Sequence, residues 1–433
     1  MKAKNRKTLV ENAGLFKTIA VMTVCHLSVS LLCLHVMFDL VLYGIPLFLI
    51  HSLGIISNDT FYSLTSKVIN WTSPIVFGFP MVFSGTKVFT NDANILLESK
   101  SQNSLLLSNH GSRIEWMVAM YVGYLNVVGD KLGKRCRVGF VCEALIQFMP
   151  LIGWYRKIIA HDIFVWRSFD KDAGTIKKNI RTFHDSAQSR MLYLSPEGVV
   201  VDHGEKDMRY IRQCQKFAMD NNMEPFQYVL TPRYKGTSCL LDQVSQGGLV
   251  VSICLAFVRD GKLLNCKLSS SERVVPDIYH LNQSIGGSPI SIYIHLRKIK
   301  FDAHAHTPFD AKSVLMAEYQ WKDSILAKWD ARLGIKNEDK LTADFIEVRE
   351  NRIDIVLNHL AHAILWIMVG ALCDCQTFFL KLWIAVYLCC SISHTIGWMV
   401  NKTSMESVPF ETGIKAMIKC FPKSEERHSI KKD

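Results

Sequence analysis

The stretch Leu105–Val118, "LLLSNHGSRIEWMV", contains an apolar run, a polar Asn-His pair and a second apolar pattern in direct succession. A short apolar run that ends at polar residues is typical of a buried strand, and the apolar spacing from Ile114 onward predicts a helix. Strand, loop and helix in this order form the repeating unit of an α/β domain. Because Glu115 follows His110 by five residues, the loop also carries two groups with acid–base chemistry.

The start of this helix has two interpretations. Ser112 and Glu115 have the S-x-x-E spacing of a capping box, in which both side chains satisfy free backbone amides of the first turn. The same position would also hold the Glu115 carboxylate beside the His110 imidazole, in the tautomer that can remove a proton from a hydroxyl. The local sequence is compatible with both roles, so the choice depends on the rest of the chain.

Alternation of short apolar runs with longer amphipathic ones continues between Gly85 and Phe301. This alternation predicts an α/β fold with a largely parallel sheet flanked by helices. The apolar ends of the chain, described below, add hydrophobic membrane helices on the N-terminal and C-terminal sides of this fold. The predicted strands are Ala93–Leu97, Leu105–Ser108, Arg137–Val141, Ile163–Trp166, Met191–Ser195, Tyr228–Leu230, Leu249–Val258 and Ile290–Ile299. The predicted helices are Ile114–Val127, Lys171–Ser186, Lys206–Asn221 and Ala311–Leu333.

Hydrophobic residues make up 49% of the 433-residue chain and concentrate at its two ends. Ile19–Ile50 is longer than the roughly 20 residues that one membrane span needs. Asp39 and Pro46 lie inside it, and both are poorly tolerated in the middle of a span, which indicates a helical hairpin or a bent segment. Near the other end, Val356–Leu372 and Phe378–Val400 form a second pair of apolar stretches, which also predicts a hairpin.

The formal net charge of +11 is compatible with nucleic acid, anionic lipid or phosphorylated ligands. The apolar ends favour a membrane partner, so no nucleic acid is expected. Basic residues lie just outside both apolar ends, and by the positive-inside rule both termini and the middle domain should face the cytoplasm. The 13 cysteines form neither a C-x-x-C pair nor a zinc spacing, so we expect no disulfide framework and no metal site.

Three polar clusters follow predicted strands. They are Asn109-His110, the "SPEGVVVD" of Ser195–Asp202 and the "TPRYKG" of Thr231–Gly236. Each cluster taken alone can be an ordinary turn, because proline and glycine punctuate any chain. In a parallel sheet, however, the carboxyl ends of the strands meet at one edge, where functional groups gather. Together the clusters therefore predict a functional site.

The clusters resemble, in order and spacing, the four sequence blocks of the glycerolipid acyltransferases of the lysophosphatidic acid acyltransferase superfamily. Asn109–Glu115 is similar to the N-H-x-x-x-x-D block, Gly153–Arg167 to a glycine followed by a strand that ends in arginine, Pro196–Val199 to P-E-G-T, and Val229–Arg233 to an apolar strand that ends in proline. Within the superfamily, the chain looks most like the lysocardiolipin and lysophosphatidylinositol acyltransferase branch. Two positions depart from the family pattern, since Glu115 replaces aspartate and Val199 replaces threonine.

The resemblance implies an acyl-CoA:lysophospholipid O-acyltransferase in which His110, Glu115 and Asn109 are the catalytic residues. It implies substrate-binding roles for Gly153, Arg167, Glu197, Gly198, Pro232 and Arg233. Acyl-CoA would be a co-substrate, without a resident cofactor or metal, and the acceptor would be of the lysophosphatidic acid, lysophosphatidylinositol or lysocardiolipin type. The chain has no G-x-S-x-G nucleophile elbow, so direct attack by the lipid hydroxyl is preferred to an acyl-enzyme.

On this interpretation the chain has four regions. They are an N-terminal membrane anchor (1–84), the acyltransferase catalytic domain (85–305), an amphipathic helical connector (306–350) and a C-terminal membrane hairpin with a basic tail (351–433). The expected location is the endoplasmic reticulum, with the catalytic domain on the cytoplasmic side. The alternative is a catalytically weak or inactive relative that binds lipid, which the departures at Glu115 and Val199 would explain.

Overall fold

The computed structural model describes residues 23–24, 32–124, 136–185, 189–202, 204–244, 248–282, 287–299, 308–333, 343–348 and 364. Apart from residue 364, the predicted C-terminal hairpin and its basic tail lie outside the described residues. The boundaries of the four predicted regions stay predictions.

One nine-stranded sheet runs through the described part of the chain. Its strands are β1 (Lys87–Thr90), β2 (Ser104–Ser108), β3 (Arg137–Glu143), β4 (Ile163–Val165), β5 (Arg190–Leu194), β6 (Leu249–Arg259), β7 (Lys262–Leu263), β8 (Ser291–Lys298) and β9 (Ile346–Glu347). Their order is β4-β3-β5-β2-β6-β8-β1-β9, with β7 paired to β6. Neighbours from β4 to β6 are parallel, while β8 runs antiparallel to β6. The predicted α/β fold with a largely parallel sheet is confirmed.

Helices cover both faces of the sheet. They are α1 (Leu32–Ser52), α2 (Asn58–Phe83), α3 (Ala93–Ser101), α4 (Glu115–Tyr124), α5 (Ile152–Ile158), α6 (Phe169–Asp185), α7 (Glu205–Asp220), α8 (Tyr234–Val244), α9 (Ile278–Asn282) and α10 (Pro308–Leu333), and a 3₁₀ turn spans Ala144–Phe148. Helices α1 to α5 pack on one face, against residues such as Leu106 and Tyr193. Helices α6, α8 and α10 pack on the other face, against Leu105, Leu107 and Leu192. This alternation along β2 and β5 is the period of two that a strand covered on both faces requires.

Two predicted strands are wrong. Ala93–Leu97 lies in helix α3, because the Asp92 carboxylate caps that helix by accepting hydrogen bonds from the amides of Asn94 (2.9 Å) and Ile95 (3.0 Å). Tyr228–Leu230 is not a strand, because its amides bond to side chains instead of to a neighbouring strand. The Asp323 carboxylate accepts from the amides of Tyr228 (2.7 Å) and Val229 (3.3 Å).

By length and composition alone, helix α1 could cross a membrane. Within the protein, however, 44% of its most apolar stretch is buried. The helix continues through Asp39 and Pro46, with a π-helical segment at Leu40–Gly44 in which the Ile45 amide bonds to the Leu40 carbonyl. Pro46 has no amide hydrogen to donate, and a π segment just before it accommodates the interrupted pattern. Of the two predicted forms, a hairpin turn does not occur within residues 32–52.

Candidate active site

Two polar loops leave the sheet side by side. Strands β2 and β5 are paired in parallel, with Leu107 opposite Leu194, so Asn109-His110 and Ser195–Asp202 start at the same edge. The third cluster joins them through the Arg233 amide, which donates to the Pro196 carbonyl at 2.9 Å. The three clusters therefore form one site at the carboxyl edge of the parallel strands.

At the centre of this site, His110 and Glu115 form a close pair. The Nδ1 atom of His110 lies 2.8 Å from Oε2 of Glu115. The Glu115 residue is buried, while 27% of the His110 side chain is exposed. With Nδ1 donating to the carboxylate, Nε2 is the ring nitrogen that can accept a proton from a substrate hydroxyl.

The same carboxylate also caps helix α4. Oε1 of Glu115 accepts a hydrogen bond from the Ser112 amide at 2.8 Å, and the Ser112 hydroxyl accepts one from the Ile114 amide at 2.9 Å. The reach of the glutamate back to the serine amide is half of the predicted capping box. Glu115 therefore has both of the roles between which the sequence left a choice, one for each oxygen.

The surroundings of His110 favour its protonated form. Burial by itself would lower the His110 pKa, but the charge and hydrogen bond of Glu115, with the charge of Glu197, raise it above its ordinary value. Burial raises the pKa of Glu197 to about 7, although nearby hydrogen-bond donors oppose this effect. An imidazolium at position 110 is thus stabilised by the carboxylate that orients the ring.

Glu197, in the second cluster, bonds to the backbone of the first cluster and to that of Leu230, directly before the third. Its carboxylate is buried, and Oε1 accepts from the His110 amide at 2.9 Å while Oε2 accepts from the Leu230 amide at 3.2 Å. Both oxygens thus bond to main-chain groups of other loops. The substrate-binding role predicted for Glu197 stays a prediction, whereas these contacts position His110.

Asn109 attaches the histidine loop to the central strand β6. Its side-chain amide donates to the Leu255 carbonyl at 3.1 Å, and its side-chain oxygen accepts from the Leu255 amide at 2.8 Å. The residue is fully buried. Asn109 therefore fixes the histidine loop to the sheet. If Asn109 contributes to catalysis as predicted, it does so by positioning His110.

Two exposed arginines lie close to Gly198. Arg167 donates to the Gly198 carbonyl at 2.8 Å and forms an ion pair with Glu143 at 3.1 Å. Arg233 donates to the Tyr210 hydroxyl at 3.3 Å, and its guanidinium lies within 3.6 Å of the position that a Cβ on Gly198 would take. Gly198 has a φ of 72°, which only glycine adopts easily. The glycine turn therefore brings two guanidinium groups, which suit a phosphate, to the edge of the site.

The two other predicted substrate-binding residues, Gly153 and Pro232, lie in different parts of the structure. Gly153 is buried in α5, where a Cβ would lie 2.1 Å from the Ile146 carbonyl oxygen, so glycine lets α5 pack on the 3₁₀ turn. Pro232 lies between Thr231 and Arg233 in the third cluster. The structure thus brings Pro232 into the cluster, while the close contacts of Gly153 are with the 3₁₀ turn.

Two residues of helix α10 support the site and were missed from the sequence. The Tyr319 hydroxyl donates to the Ser108 carbonyl at 3.0 Å, and Nζ of Lys322 donates to the Leu107 carbonyl at 2.8 Å. Both side chains are fully buried, and burial lowers the Lys322 pKa to about 8. In the sequence, only the presence of a tyrosine and a lysine on this helix could have indicated their role, and the helix itself was predicted without reference to the site.

Among the residues that the structure describes, no group of three or more His, Cys, Asp or Glu side chains could hold a metal ion. None of the described cysteines forms a disulfide, and most of them are buried. The expectation that acyl transfer here needs no resident cofactor remains a prediction.

Comparison with known proteins identifies relatives of one kind, although no family model matches the chain. "Probable 1-acyl-sn-glycerol-3-phosphate acyltransferase 5" of Arabidopsis thaliana is 24% identical over 347 residues, which cover 79% of this chain and 79% of the relative. "Lysocardiolipin acyltransferase 1" of Gallus gallus is 24% identical over 185 residues, 42% of this chain and 45% of the relative. The match thus spans less than half of the chicken protein.

A solved structure, the lysophosphatidic acid acyltransferase PlsC of Thermotoga maritima, aligns with a TM-score of 0.31 at 11% identity, over 67% of this chain and 94% of that one. This likeness is too low to carry an argument. The sequence relatives confirm the predicted resemblance to the glycerolipid acyltransferase superfamily and to its lysocardiolipin branch. They support acyltransferase activity on glycerolipids in general.

Proposed function

We propose that the protein is an acyl-CoA-dependent acyltransferase that transfers a fatty acyl group to the free hydroxyl of a lysophospholipid. The observation that carries the proposal is the 2.8 Å pair of His110 and Glu115, located where three polar loops meet. The acyl-CoA donor and the lysophospholipid acceptor, of the lysophosphatidic acid, lysophosphatidylinositol or lysocardiolipin type, belong to the proposal.

The geometry supports a direct transfer. The acceptor hydroxyl would lie at Nε2 of His110, which removes its proton as the oxygen attacks the thioester carbonyl. Glu115 stabilises the imidazolium that forms, because its Oε2 is already bonded to Nδ1. Collapse of the tetrahedral intermediate breaks the carbon–sulfur bond, and the imidazolium returns the proton to the CoA thiolate. A general base of this kind contributes typically about 10²- to 10⁴-fold in rate.

The two guanidinium groups beside Gly198 would bind the phosphate of the acceptor. Arg167 and Arg233 are both exposed at the site edge, so a phosphate reaches them without displacing buried structure. A planar guanidinium can offer two parallel hydrogen bonds to phosphate oxygens, which fixes orientation as well as charge. Binding there would hold the acceptor by its head group while its hydroxyl reaches His110.

Membrane attachment is part of the proposal. Helix α1 supports association with a membrane by its length and composition. We propose the endoplasmic reticulum as its membrane, with the catalytic domain facing the cytoplasm. The basic residues that flank both apolar ends of the sequence support this orientation.

A lipid-binding relative with little or no activity is the alternative, and it was based on Glu115 and Val199. The longer side chain of Glu115 still reaches His110 at 2.8 Å, so this departure keeps the pair. Val199 packs against the apolar cluster of Val201, Ile211, Leu230 and Leu268, where a valine side chain fits. Neither departure therefore removes a group that the proposed chemistry uses.

The test is a transfer assay with the purified full-length protein in detergent, radiolabelled acyl-CoA and a panel of lysophospholipids. We expect labelled phospholipid from the parent and a loss of at least about 10²-fold in the variant His110→Ala. Lys178→Ala, an exposed change on α6, serves as the matched control and should keep parent activity. A parent that binds the lipids but yields no labelled product would favour the lipid-binding alternative.

A further inference from the structure

Exposed large hydrophobic side chains are concentrated in two places. Among the residues that the structure describes, all but Met219, Ile346 and Ile364 lie either on α1 and the turn after it or on one surface beside the active site. We call the second surface the apolar rim. It consists of Leu145, Phe148, Trp154, Trp166 and Phe169.

The apolar rim is built from three adjoining pieces of chain. Leu145 and Phe148 lie on the 3₁₀ turn, Trp154 on α5, and Trp166 and Phe169 beside the end of β4. The rim side chains are between 43% and 57% exposed. The rings of Phe148 and Trp166 lie 6.4 Å apart, which joins the 3₁₀ turn to the β4 loop in one surface.

The rim adjoins the apolar helix α1. On the buried side of α5, Tyr155 and Ile159 pack in the same cluster as Val36 and Leu40 of α1. Gly44 of α1 approaches Ile159 so closely that an added Cβ would lie 3.0 Å from its side chain. Helix α5 thus packs on α1 and contributes Trp154 to the exposed rim, so the two apolar surfaces belong to adjacent elements.

The composition of the rim fits the interfacial layer of a bilayer. Tryptophan combines a large apolar surface with one polar N–H and is enriched at membrane interfaces. Charged groups of both signs border the rim. Arg167, which pairs with Glu143, follows Trp166, Lys157 is exposed on α5, and Asp170 follows Phe169. An apolar surface with a charged border, adjacent to a membrane-compatible helix, is the arrangement of an interfacial anchor.

We propose that the apolar rim inserts into the interfacial layer of a phospholipid bilayer and seats the catalytic domain with Arg167 at head-group level. The proposed contact of the rim with lipid does not depend on the proposed function. The consequence for Arg167 rests on the proposed function, because it explains how a membrane-bound acceptor reaches the site without leaving the bilayer.

The test uses the full-length protein reconstituted in phosphatidylcholine vesicles that contain a trace of radiolabelled phosphatidylcholine. A photo-crosslinking benzoylphenylalanine replaces Phe148 in one variant and Met219 in a control variant. Met219 is 62% exposed and lies on α7, outside the rim and α1. We expect labelled lipid adducts at position 148 at least five-fold above those at position 219.

Equal labelling at the two positions would overturn the proposal. Cross-links from position 148 to residues 351–433 of the same chain, or to a second copy, would overturn it as well, because protein would then cover the rim. A separate measurement of the turnover of the parent distinguishes a failure of the proposed function from a failure of the proposed membrane contact. A parent without transfer activity that still forms lipid adducts at position 148 would refute the function and leave the membrane contact in place.

A second variant tests the link to the acceptor. Phe148→Ser should raise the KM for a long-chain lysophospholipid in vesicles several-fold, with kcat unchanged. The same variant should retain the parent KM for a short-chain acceptor that is monomeric in water, since that substrate needs no bilayer. A parallel rise of both KM values would contradict delivery from the membrane, and Met219→Ser provides the control for an exposed apolar deletion.

Discussion

The Glu115 carboxylate has two tasks that can be separated by one substitution. Its Oε1 accepts the Ser112 amide of the helix start, and its Oε2 bonds to His110. The first task needs only an oxygen acceptor. The second needs a negative charge that keeps the proton on Nδ1 and the free lone pair on Nε2.

We predict that Glu115→Gln lowers turnover by about 10²-fold or more, roughly 2.7 kcal/mol of barrier, because glutamine supplies the cap but no charge for the imidazolium. The glutamine amide would also face Nδ1 as a donor and favour the other tautomer of His110. Turnover and melting temperature in detergent are the measurements. A normally melting variant with turnover near that of the parent would reduce Glu115 to a helix cap.

The pH profile of the reaction should report the same pair. His110 must be neutral to accept a proton. Burial lowers its pKa, but Glu115 and Glu197 together raise the pKa above its ordinary value. We therefore predict that kcat/KM falls as pH decreases through a pKa above 6.5 in the parent. In Glu115→Gln this limb should move to lower pH. An unchanged limb in the variant would mean that another group controls the profile.

Glu197 should respond to the same type of substitution in a different way. Both of its oxygens accept backbone amides, those of His110 and Leu230, whereas a glutamine has only one side-chain oxygen. In Glu197→Gln one buried amide loses its acceptor, so we predict a stability loss of about 1 to 3 kcal/mol together with reduced turnover. Thermal melting decides the outcome, and unaltered melting with lost phosphate affinity would favour a direct substrate role.

Helix α10 contributes buried side chains that support the backbone beneath the site. Lys322 is fully buried, donates to the Leu107 carbonyl near the end of β2, and lies 4.5 Å from the centre of the Tyr319 ring. Burial lowers its pKa to about 8 from 10.5. Between these values the unfolded chain binds more protons than the folded protein, so this group makes stability rise with pH.

We predict that this rise disappears in Lys322→Met, which keeps a long side chain without a titrating group. The melting temperature of the parent relative to the variant should increase from pH 8 to pH 10. A constant difference across this range would show that Lys322 does not titrate in the folded protein with a lowered pKa. Lys178→Met on the exposed side of α6 controls for the loss of a lysine as such.

The strands that apolar runs predicted correctly, such as β2 and β6, are buried on both faces and carry their signal within a few residues. The predictions of strands at Ala93–Leu97 and Tyr228–Leu230 failed because carboxylates accept backbone amides there. Asp92 caps the helix at Asn94 and Ile95, while Asp323, far away in sequence, accepts the amides of Tyr228 and Val229. The loop clusters of the site were predictable from their place after strands. The support from Lys322 was not, because it depends on how α10 packs across the sheet.

The position of α1 limits how the whole molecule can meet a membrane. Its buried residues, including Val36 and Leu40, pack in the main core with Tyr155 of α5 and with Ile159, which follows that helix. On the proposed membrane attachment, a helix that packs along the domain in this way would hold the domain at the membrane surface. The apolar rim lies beside the same helix α5, so helix and rim can contact one bilayer together.

This arrangement yields a topology prediction, in which the domain and both basic termini share the cytoplasmic side. Met219 is 62% exposed, so a cysteine placed there should react in sealed, cytoplasmic-side-out vesicles with a membrane-impermeant maleimide as fast as after detergent is added. Cysteines at Lys4 and Lys431 should behave alike, because basic residues outside apolar segments stay on the cytoplasmic side. The parent, with its own thiols, supplies the background to subtract. Labelling at Met219 that requires detergent, while Lys4 and Lys431 react without it, would place the active site in the lumen and reverse the proposed orientation.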